Sequence, residues 1–262
     1  MIGKAPRRLL KALLPRRVID QLVLAELGAH AFRDVRGRHP RDCPICGYHG
    51  LFWAKGRQPM VFDGLCPRCH SIGRHRQQEL LTQRHPEFLD GQTVLHFAPE
   101  PCFDHRYRER LQATGGSYVR ADYQPHKGEI KVDLQAMPFP DQSFDTVICN
   151  NVLEHVADDH KAMTEIARVL RPAGRALLTV PLYDAWDKTY EDPAITAPAE
   201  RDLHFNKDDH LRLYGRDFRD RLTAAGLAFT TYVAAEPEVS RFALERGETI
   251  FIATRADQSA SA

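Results

Sequence analysis

The clearest hydrophobic pattern in the chain lies between residues 144 and 180, where two short apolar runs flank a segment with helical periodicity. The first run, 144–149, is rich in β-branched residues and follows a turn-forming Pro-Asp-Gln-Ser, which is typical of a strand buried on both faces of a parallel sheet. Apolar residues then recur at helical spacing from 158 to 170, and 171–174 is predicted to end the helix. A second run, 176–180, completes a strand–helix–strand unit.

Shorter patterns on either side of this unit predict the rest of an α/β domain. The other predicted strands are one that starts at 93, one at 117–123, a third that ends at Asp133 and Leu134, and a closing antiparallel pair at 228–233 and 249–254. Parallel sheets of this kind bind ligands at the carboxyl ends of their strands. The sequence therefore places Asn150 and the residues that follow it at the expected site.

These patterns divide the chain into segments of different composition. A basic helical segment comes first, followed by a metal-binding module, a main domain with one long polar insertion, and a polar tail that is predicted to be disordered. The predicted bounds are 1–42, 43–72, 73–256 with the insertion at 182–215, and 257–262. At 262 residues the chain can bury one core of ordinary size plus an appendage.

Two Cys-x-x-Cys turns predict a metal module. The pairs Cys43 with Cys46 and Cys66 with Cys69 are separated by 19 residues, which suits four thiolates around one tetrahedral zinc ion, and short strands are predicted at 51–53 and 60–62. Two disulfides are the alternative, but no signal-peptide pattern points to an oxidising compartment. Whether the ribbon is purely structural or also binds nucleic acid stays open.

Charge is distributed unevenly along the chain. Residues 1–86 hold 16 Lys and Arg against 6 Asp and Glu, whereas the remainder holds 20 against 29. The basic front end suggests an anionic partner, either RNA or a membrane surface, and the alternative is that its amphipathic helices dock on the protein's own acidic body. The longest apolar runs are only a few residues long, so we expect a cytoplasmic protein, with a membrane-surface contact at the front end as an option.

The segment 133–174 resembles the class I S-adenosylmethionine-dependent methyltransferases. It carries their D-x-x-x-M-P-F-x-D-x-S-F-D block, the L-E-H at 153–155 and the L-R-P-x-G at 170–174. The chain further resembles a bacterial subgroup with an N-terminal zinc ribbon, through its C-P-x-C-x-S-x-x-R-H-R at 66–76 and the H-F-A-P-E-P at 96–101. In other members a glycine-rich loop stands where this chain has Ala98 and Glu100, and an Asp stands at His96.

The resemblance implies a doubly wound, mostly parallel seven-stranded sheet with a C-terminal antiparallel hairpin. It also implies S-adenosylmethionine as cofactor, with Asp122 accepting both ribose hydroxyls, Asp133 near the adenine and Glu100 near the ammonium group. The predicted cofactor-binding residues are His96, Ala98, Glu100, Asp122, Tyr123, Asp133, Leu134 and Asn150. An ordinary α/β domain without a cofactor is the alternative.

The insertion is predicted to gate an unidentified methyl acceptor. Its candidate substrate-binding residues are Tyr190, His204, Arg212 and Tyr214, and the candidate catalytic residues are His155, His210 and Asp209. A small molecule, a glycan or a lipid-linked intermediate is favoured as acceptor. Two alternatives stay open: methylation of RNA, as in the ribosomal-RNA guanine methyltransferases that also carry a zinc module, and a scaffold that binds the cofactor without turnover.

Overall fold

The computed structural model describes residues 37, 39–55, 61–126 and 128–256. Most of the predicted basic segment 1–42, residue 60 of the predicted ribbon strand and the predicted tail 257–262 lie outside the described residues. Within the described part of the chain, no helix is long and apolar enough to cross a membrane.

A seven-stranded sheet forms the centre of the protein and confirms the predicted fold class. Its strands are β5 (Thr93–Phe97), β6 (Ser117–Asp122), β7 (Ile130–Lys131), β8 (Phe144–Asn150), β9 (Leu170–Thr179), β12 (Leu227–Val233) and β13 (Thr249–Arg255). They lie in the order β12-β13-β9-β8-β5-β6-β7. All neighbours from β7 to β9 are parallel, whereas β13 runs antiparallel to both β9 and β12. The sheet therefore ends in the predicted C-terminal antiparallel hairpin.

Helices and shorter strands complete the described fold. The helices are α1 (Gly73–Arg84), α2 (Pro101–Ala113), α3 (Asp159–Val169), α4 (Pro198–Phe205), α5 (Phe218–Ala224) and α6 (Glu238–Phe242), with 3-10 turns at Pro86–Phe88 and Leu153–His155. The four strands β1 (Arg41–Asp42), β2 (His49–Gly50), β3 (Trp53–Lys55) and β4 (Val61–Leu65) precede them, and β10 (Tyr190–Glu191) pairs with β11 (Arg212–Leu213) inside the insertion. One apolar cluster packs α3 and α5 against the sheet, and a second joins α2 to the ribbon.

Helix α3 ends differently from the prediction. Asp158 caps its start, because the carboxylate accepts a hydrogen bond from the Lys161 N–H at 2.9 Å. The predicted terminator at 171–174 is already part of β9, since Leu170 adopts an extended backbone and pairs with Phe144. The pairing shifts register directly after this contact, and a Cβ atom at Gly174 would lie 3.0 Å from the Phe144 carbonyl oxygen, so the close approach of the two strands favours glycine there.

Three other strand predictions need correction. The third strand ends at Lys131 rather than at Asp133 and Leu134, because Asp133 instead forms a turn in which its carboxylate accepts the Gln135 N–H at 2.9 Å. The first ribbon strand begins at Trp53 rather than at 51, and the second continues past the predicted end at 62 to Leu65. Phe52, which directly precedes β3, is fully buried in the apolar cluster that joins α2 to the ribbon. Its position is therefore fixed by packing.

The ribbon is attached to the main domain through the buried side chain of Arg76 on α1. This side chain is 0% exposed, and its guanidinium lies 4.8 Å from the ring centre of Phe52. Its Nε, Nη1 and Nη2 donate hydrogen bonds of 2.6 Å to the carbonyls of Phe242, Ser71 and Ala243. One side chain therefore joins α1, the second cysteine turn and the segment that follows α6.

Replacement of Arg76 should weaken the contacts among α1, the second cysteine turn and the segment that follows α6. Arg76→Ala would leave several buried carbonyls without donors and a large void, so the free energy of unfolding should fall by about 3–5 kcal/mol. Denaturant titration measures this change. Arg68→Ala is the matched control, since Arg68 is near the same turn but makes an exposed bond to the Cys46 carbonyl, and it should cost less than about 1 kcal/mol. Equal effects of the two substitutions would contradict the role given to Arg76.

Candidate functional site

The carboxyl ends of β5, β6 and β8 bring most of the predicted cofactor residues to one edge of the sheet. Because β5 lies between β6 and β8 in parallel register, Phe97 stands beside Ala121 and Cys149. The loop after β5, Asp122 at the end of β6 and Asn150 at the end of β8 consequently lie next to one another.

The loop after β5 keeps a backbone shape that normally favours glycine. Ala98 has φ = +46°, in the left-handed region, and its N–H donates a 2.8 Å hydrogen bond to the Ala121 carbonyl. Glu100 then caps α2, with Pro101 at the first helical position. The loop lacks the glycines of the glycine-rich pattern, but its backbone still makes the left-handed turn for which glycine is usually needed.

Glu100 points into the protein instead of standing open to solvent. Its carboxylate lies 3.2 Å from His96 Nε2 and 3.6 Å from His75 Nε2, and it accepts hydrogen bonds from Asn150 Nδ2 at 3.2 and 3.3 Å. Burial alone would raise the pKa of Glu100, but hydrogen bonding and charge from His96, with a contribution from His75, outweigh it and the pKa is lowered. Only 13% of the Glu100 side chain is exposed, so its contacts inside the protein hold the loop after β5 in place.

His96 belongs to the same buried group. It is 0% exposed, and its Nδ1 lies 2.8 Å from the Tyr118 hydroxyl of β6. Sequence reasoning named His96, Glu100 and Asn150 as cofactor residues but missed His75 and Tyr118, which hold them. The only available signal was the position of His75 in the R-H-R motif after the second cysteine turn.

The remaining predicted cofactor residues lie at the ends of β6 and β7. Asp122 accepts the Gln124 N–H at 2.7 Å, and its neighbour Tyr123 is 63% exposed. Asp133 is fixed in its own turn by Gln135, and Leu134 is buried beneath it. The structure thus brings two carboxylates and one exposed aromatic ring to the edge, while Leu134 contributes packing.

Beyond β8, a second group of polar side chains contains two of the predicted catalytic residues. Glu154 is 0% exposed, and burial raises its pKa to about 7. The Nε2 atom of His210 lies 3.9 Å from Glu154 Oε1, and the rings of His155 and His210 meet edge to face at 4.7 Å. Sequence reasoning treated Glu154 only as part of the L-E-H motif.

Asp209 lies at the rim of this group. Its carboxylate is 3.4 Å from His155 Nδ1 and 3.0 Å from Lys207 Nζ, and its side chain is 56% exposed. Leu211 N–H donates to the Glu154 carbonyl at 2.9 Å, which fastens the insertion to the end of β8. All three predicted catalytic residues are therefore neighbours, although they come from distant parts of the sequence.

The insertion carries a partly exposed aromatic patch, made of Tyr183, Trp186, Tyr190 and His204. Tyr183 stacks on Trp186 with ring centres 4.6 Å apart, and the Tyr190 hydroxyl lies 2.6 Å from His204 Nδ1. Tyr183, Trp186 and Tyr190 are each between 37% and 39% exposed. Two of the four predicted substrate residues thus lie in one surface patch.

The other two predicted substrate residues are buried in a hydrogen-bonded network. Arg212 is 5% exposed and donates to the carbonyls of Leu153, Val156 and Ala157, while its Nε pairs with Glu191 at 2.7 Å. Tyr214 is 0% exposed and donates to Asp159 at 3.0 Å. This geometry favours a structural role for Arg212 and Tyr214, which hold the insertion against α3.

The four cysteines of the ribbon form one compact cluster. Cys43 Sγ lies 3.5 Å from Cys69 Sγ, and Cys46 Sγ lies 3.6 Å from Cys66 Sγ. Both cysteine turns have the same backbone hydrogen bonds, and Gly47 and His70 occupy equivalent positions with φ of +70° and +56°. Four thiolates about 2.3 Å from one zinc ion would stand about 3.8 Å apart, so the spacing suits a tetrahedral metal, and it is longer than the roughly 2.05 Å of a disulfide bond.

A cleft of about 350 Å³ lies elsewhere, between the ribbon and the segment that follows α6. Arg41, Asp63 and Glu245 are among its lining residues. Its walls do not come from the carboxyl ends of β5, β6 and β8, so it is separate from the site described above.

Comparison with known families matches residues 102–178 to the family described as methyltransferase domain. An uncharacterized methyltransferase of Bacillus subtilis (strain 168) is 34% identical over 95 residues, which cover 34% of this chain and 36% of that protein. A ubiquinone/menaquinone biosynthesis C-methyltransferase of Pasteurella multocida (strain Pm70) is 39% identical over 64 residues, 23% of this chain and 24% of that protein. The matched part is therefore about a third or less of these relatives.

Among solved structures, the chain is similar to an S-adenosylmethionine dependent methyltransferase from Mesorhizobium loti, with 14% identity, 68% of this chain and 97% of that chain covered, and a TM-score of 0.47. It is also similar to the 1,6-didemethyltoxoflavin-N1-methyltransferase of Burkholderia thailandensis, with 16% identity, 68% and 76% coverage, and a TM-score of 0.46. The family match and the two curated relatives all name methyltransferases. Residues 102–178 of this chain are therefore similar to that methyltransferase family.

Proposed function

We propose that this protein transfers a methyl group from S-adenosylmethionine to an acceptor held by the insertion. The observation that carries the proposal is that the family match over 102–178 includes the ends of β6 and β8, with Asp122 and Asn150, which lie beside the turn at Ala98 that follows β5. S-adenosylmethionine, when bound, supplies a methyl group on a sulfonium that is ready for displacement. The chain's own residues then have to bind and orient the reactants.

Three parts of the edge fit this cofactor. The left-handed turn at Ala98 lets the backbone approach a ligand closely, as the glycine-rich loop does in other members. Asp122 ends β6, where a carboxylate can accept two ribose hydroxyls. Glu100, which is directed inward to His96 and Asn150, holds the loop in place, and the proposed contact with the cofactor's ammonium group would have to reach a side chain that is only 13% exposed.

The aromatic patch is the proposed acceptor surface. Flat, partly exposed rings bind planar or ring-shaped groups with little loss of side-chain freedom, and Tyr190 and His204 are already held together by a hydrogen bond. This surface supports a small molecule, a glycan or a lipid-linked intermediate as acceptor.

We further propose that the four-cysteine cluster holds one structural zinc ion. Two residues support a negatively charged cluster: Ser71, whose hydroxyl lies 3.2 Å from Cys69 Sγ and 3.4 Å from Cys43 Sγ, and the buried cation Arg76, whose pKa is lowered by burial and raised by the nearby thiolates. The ion would stabilise a module too small to fold on its own core.

Asp122→Ala should weaken binding of S-adenosylmethionine by at least about tenfold, because a charged hydrogen bond to a ribose hydroxyl is worth roughly 1.5–3 kcal/mol. Isothermal titration calorimetry measures the dissociation constant. Asp220→Ala, the same substitution at an exposed position of α5, is the control and should leave it unchanged. An unaltered dissociation constant in Asp122→Ala would contradict the proposed cofactor site.

Ala98→Gly tests whether the loop is a working form of the glycine-rich turn. Glycine adopts φ = +46° without the steric cost that alanine carries, about 1–2 kcal/mol, although glycine also loses more chain entropy on folding. We expect the variant to be as stable as the wild type, or up to about 1 kcal/mol more stable, with unchanged cofactor affinity. Ala98→Val should lower both quantities, and a Val variant that matches the Gly variant would show that this turn is unimportant.

Metal analysis of the purified protein should find about one zinc ion in the four-cysteine cluster of each chain. Cys43→Ser should remove it and unfold the ribbon, which circular dichroism and limited proteolysis would detect. Cys102→Ser, at a cysteine outside the cluster, should retain the metal. Wild-type protein with disulfides and no metal would contradict the zinc assignment.

A further inference from the structure

The carboxylate of Glu154 lacks the partners that a buried charge normally has. The residue is completely buried, and although the Asn151 side chain lies nearby, neither of its carboxylate oxygens accepts a hydrogen bond of normal length and angle. Buried carboxylates are almost always paired with a cation, hydrogen-bonded or bound to a metal, because loss of solvation is costly. Glu154 therefore marks a place where something is needed to complete the site.

The two nearest imidazoles do not hydrogen-bond to this carboxylate. His210 Nε2 lies 3.9 Å from Glu154 Oε1, which is beyond hydrogen-bond distance, and the His155 ring meets the His210 ring edge to face with ring centres 4.7 Å apart. Two imidazoles and one carboxylate therefore lie side by side without bonding to one another.

Hydrogen bonds to backbone carbonyls fix the tautomer of each ring. His210 Nδ1 lies 3.0 Å from the Phe205 carbonyl, and His155 Nδ1 lies 3.3 Å from the Asp209 carbonyl. A carbonyl only accepts, so each Nδ1 carries the proton and each Nε2 keeps its lone pair. Metal-binding histidines show this arrangement, with one nitrogen donating to a carbonyl and the other free to coordinate.

We propose that Glu154, His155 and His210 bind one divalent transition-metal ion, such as Zn²⁺ or Mn²⁺. Two neutral imidazoles and one carboxylate form a donor set suited to such ions. One ligand atom from each of the three residues lies within 4.8 Å of the other two. Donors around one ion at about 2.1 Å stand about 3 to 4 Å apart, so the group is slightly expanded and would contract on binding.

The surroundings provide an entrance and room for additional ligands. His155 is 26% exposed and Asp209 56% exposed in their side chains, whereas Glu154 closes the inner end. The site is therefore open on one side, as in metal centres that keep positions for water or a substrate oxygen. The metal site rests on side-chain geometry alone, whereas any use of it in methyl transfer rests on the function proposed above.

The test uses the full-length protein with its four-cysteine cluster loaded with Zn²⁺ and titrated with Mn²⁺. Mn²⁺ prefers oxygen and nitrogen ligands to thiolates, so it reports on the new site, and electron paramagnetic resonance measures the free ion. We expect about one Mn²⁺ bound per chain, displaced by added Zn²⁺. His210→Ala and Glu154→Gln should each weaken binding at least about tenfold. Glu154→Gln keeps the side-chain shape and removes a buried charge, so it should fold even if His210→Ala does not.

His105→Ala is the matched control. His105 and Glu109 form an exposed histidine–carboxylate pair on α2 at 3.1 Å, the type of surface pair that binds metal adventitiously. This variant should retain wild-type binding. Absence of stoichiometric Mn²⁺ binding, or equal binding by wild type and Glu154→Gln, would overturn the proposal. Titration of S-adenosylhomocysteine into the same samples separates the two claims, since a protein that binds Mn²⁺ but not S-adenosylhomocysteine would overturn only the methyltransferase assignment.

Discussion

The buried guanidinium of Arg76 is the contact on which the arrangement of ribbon, helix and sheet depends. Its hydrogen bonds go to the carbonyls of Ser71, Phe242 and Ala243 rather than to a carboxylate, so its charge is balanced by dipoles and by the thiolates of the cluster nearby. A four-thiolate zinc centre carries a net charge of about −2, opposite to that of Arg76. Metal loading and docking of the ribbon would then be coupled, because each lowers the cost of the other.

Sequence patterns were sufficient for most of the sheet because its central strands contain short apolar runs, as within Phe144–Asn150, and because the turn residues limit the possible boundaries. The errors arose where side-chain chemistry overrode the pattern. Asp133 forms a turn, so the strand before it ends early. Leu170 begins β9 directly after α3, because its pairing with Phe144 replaces the loop that was predicted there. The cysteine spacing predicted that the four thiols would lie together, and the structure places them in one cluster.

The candidate site was harder to predict because burial decides what a polar residue does. Arg212 and Tyr190 are both polar residues of one insertion, yet Arg212 binds three backbone carbonyls inside the protein while Tyr190 stands at the surface. The amino-acid composition of the insertion does not show which of its polar residues are buried and which are exposed. The same holds for Glu100, whose partners His75 and Asn150 are 25 and 50 residues away in sequence and meet it only after the strands have paired.

The lone pairs of His155 and His210 limit the roles that these two residues could have in the proposed methyl transfer. A general base uses the lone pair of one imidazole nitrogen, and a metal ligand uses the same lone pair, so neither histidine can do both at once. Burial lowers the pKa of His210 to about 4, well below the range in which a base operates efficiently near neutral pH, and leaves a weak base but a competent ligand. His210 is therefore better suited to hold a cation than to accept a proton from an acceptor. Glu154, His155 and His210 would hold such an ion, and it would supply positive charge beside a hydroxyl acceptor.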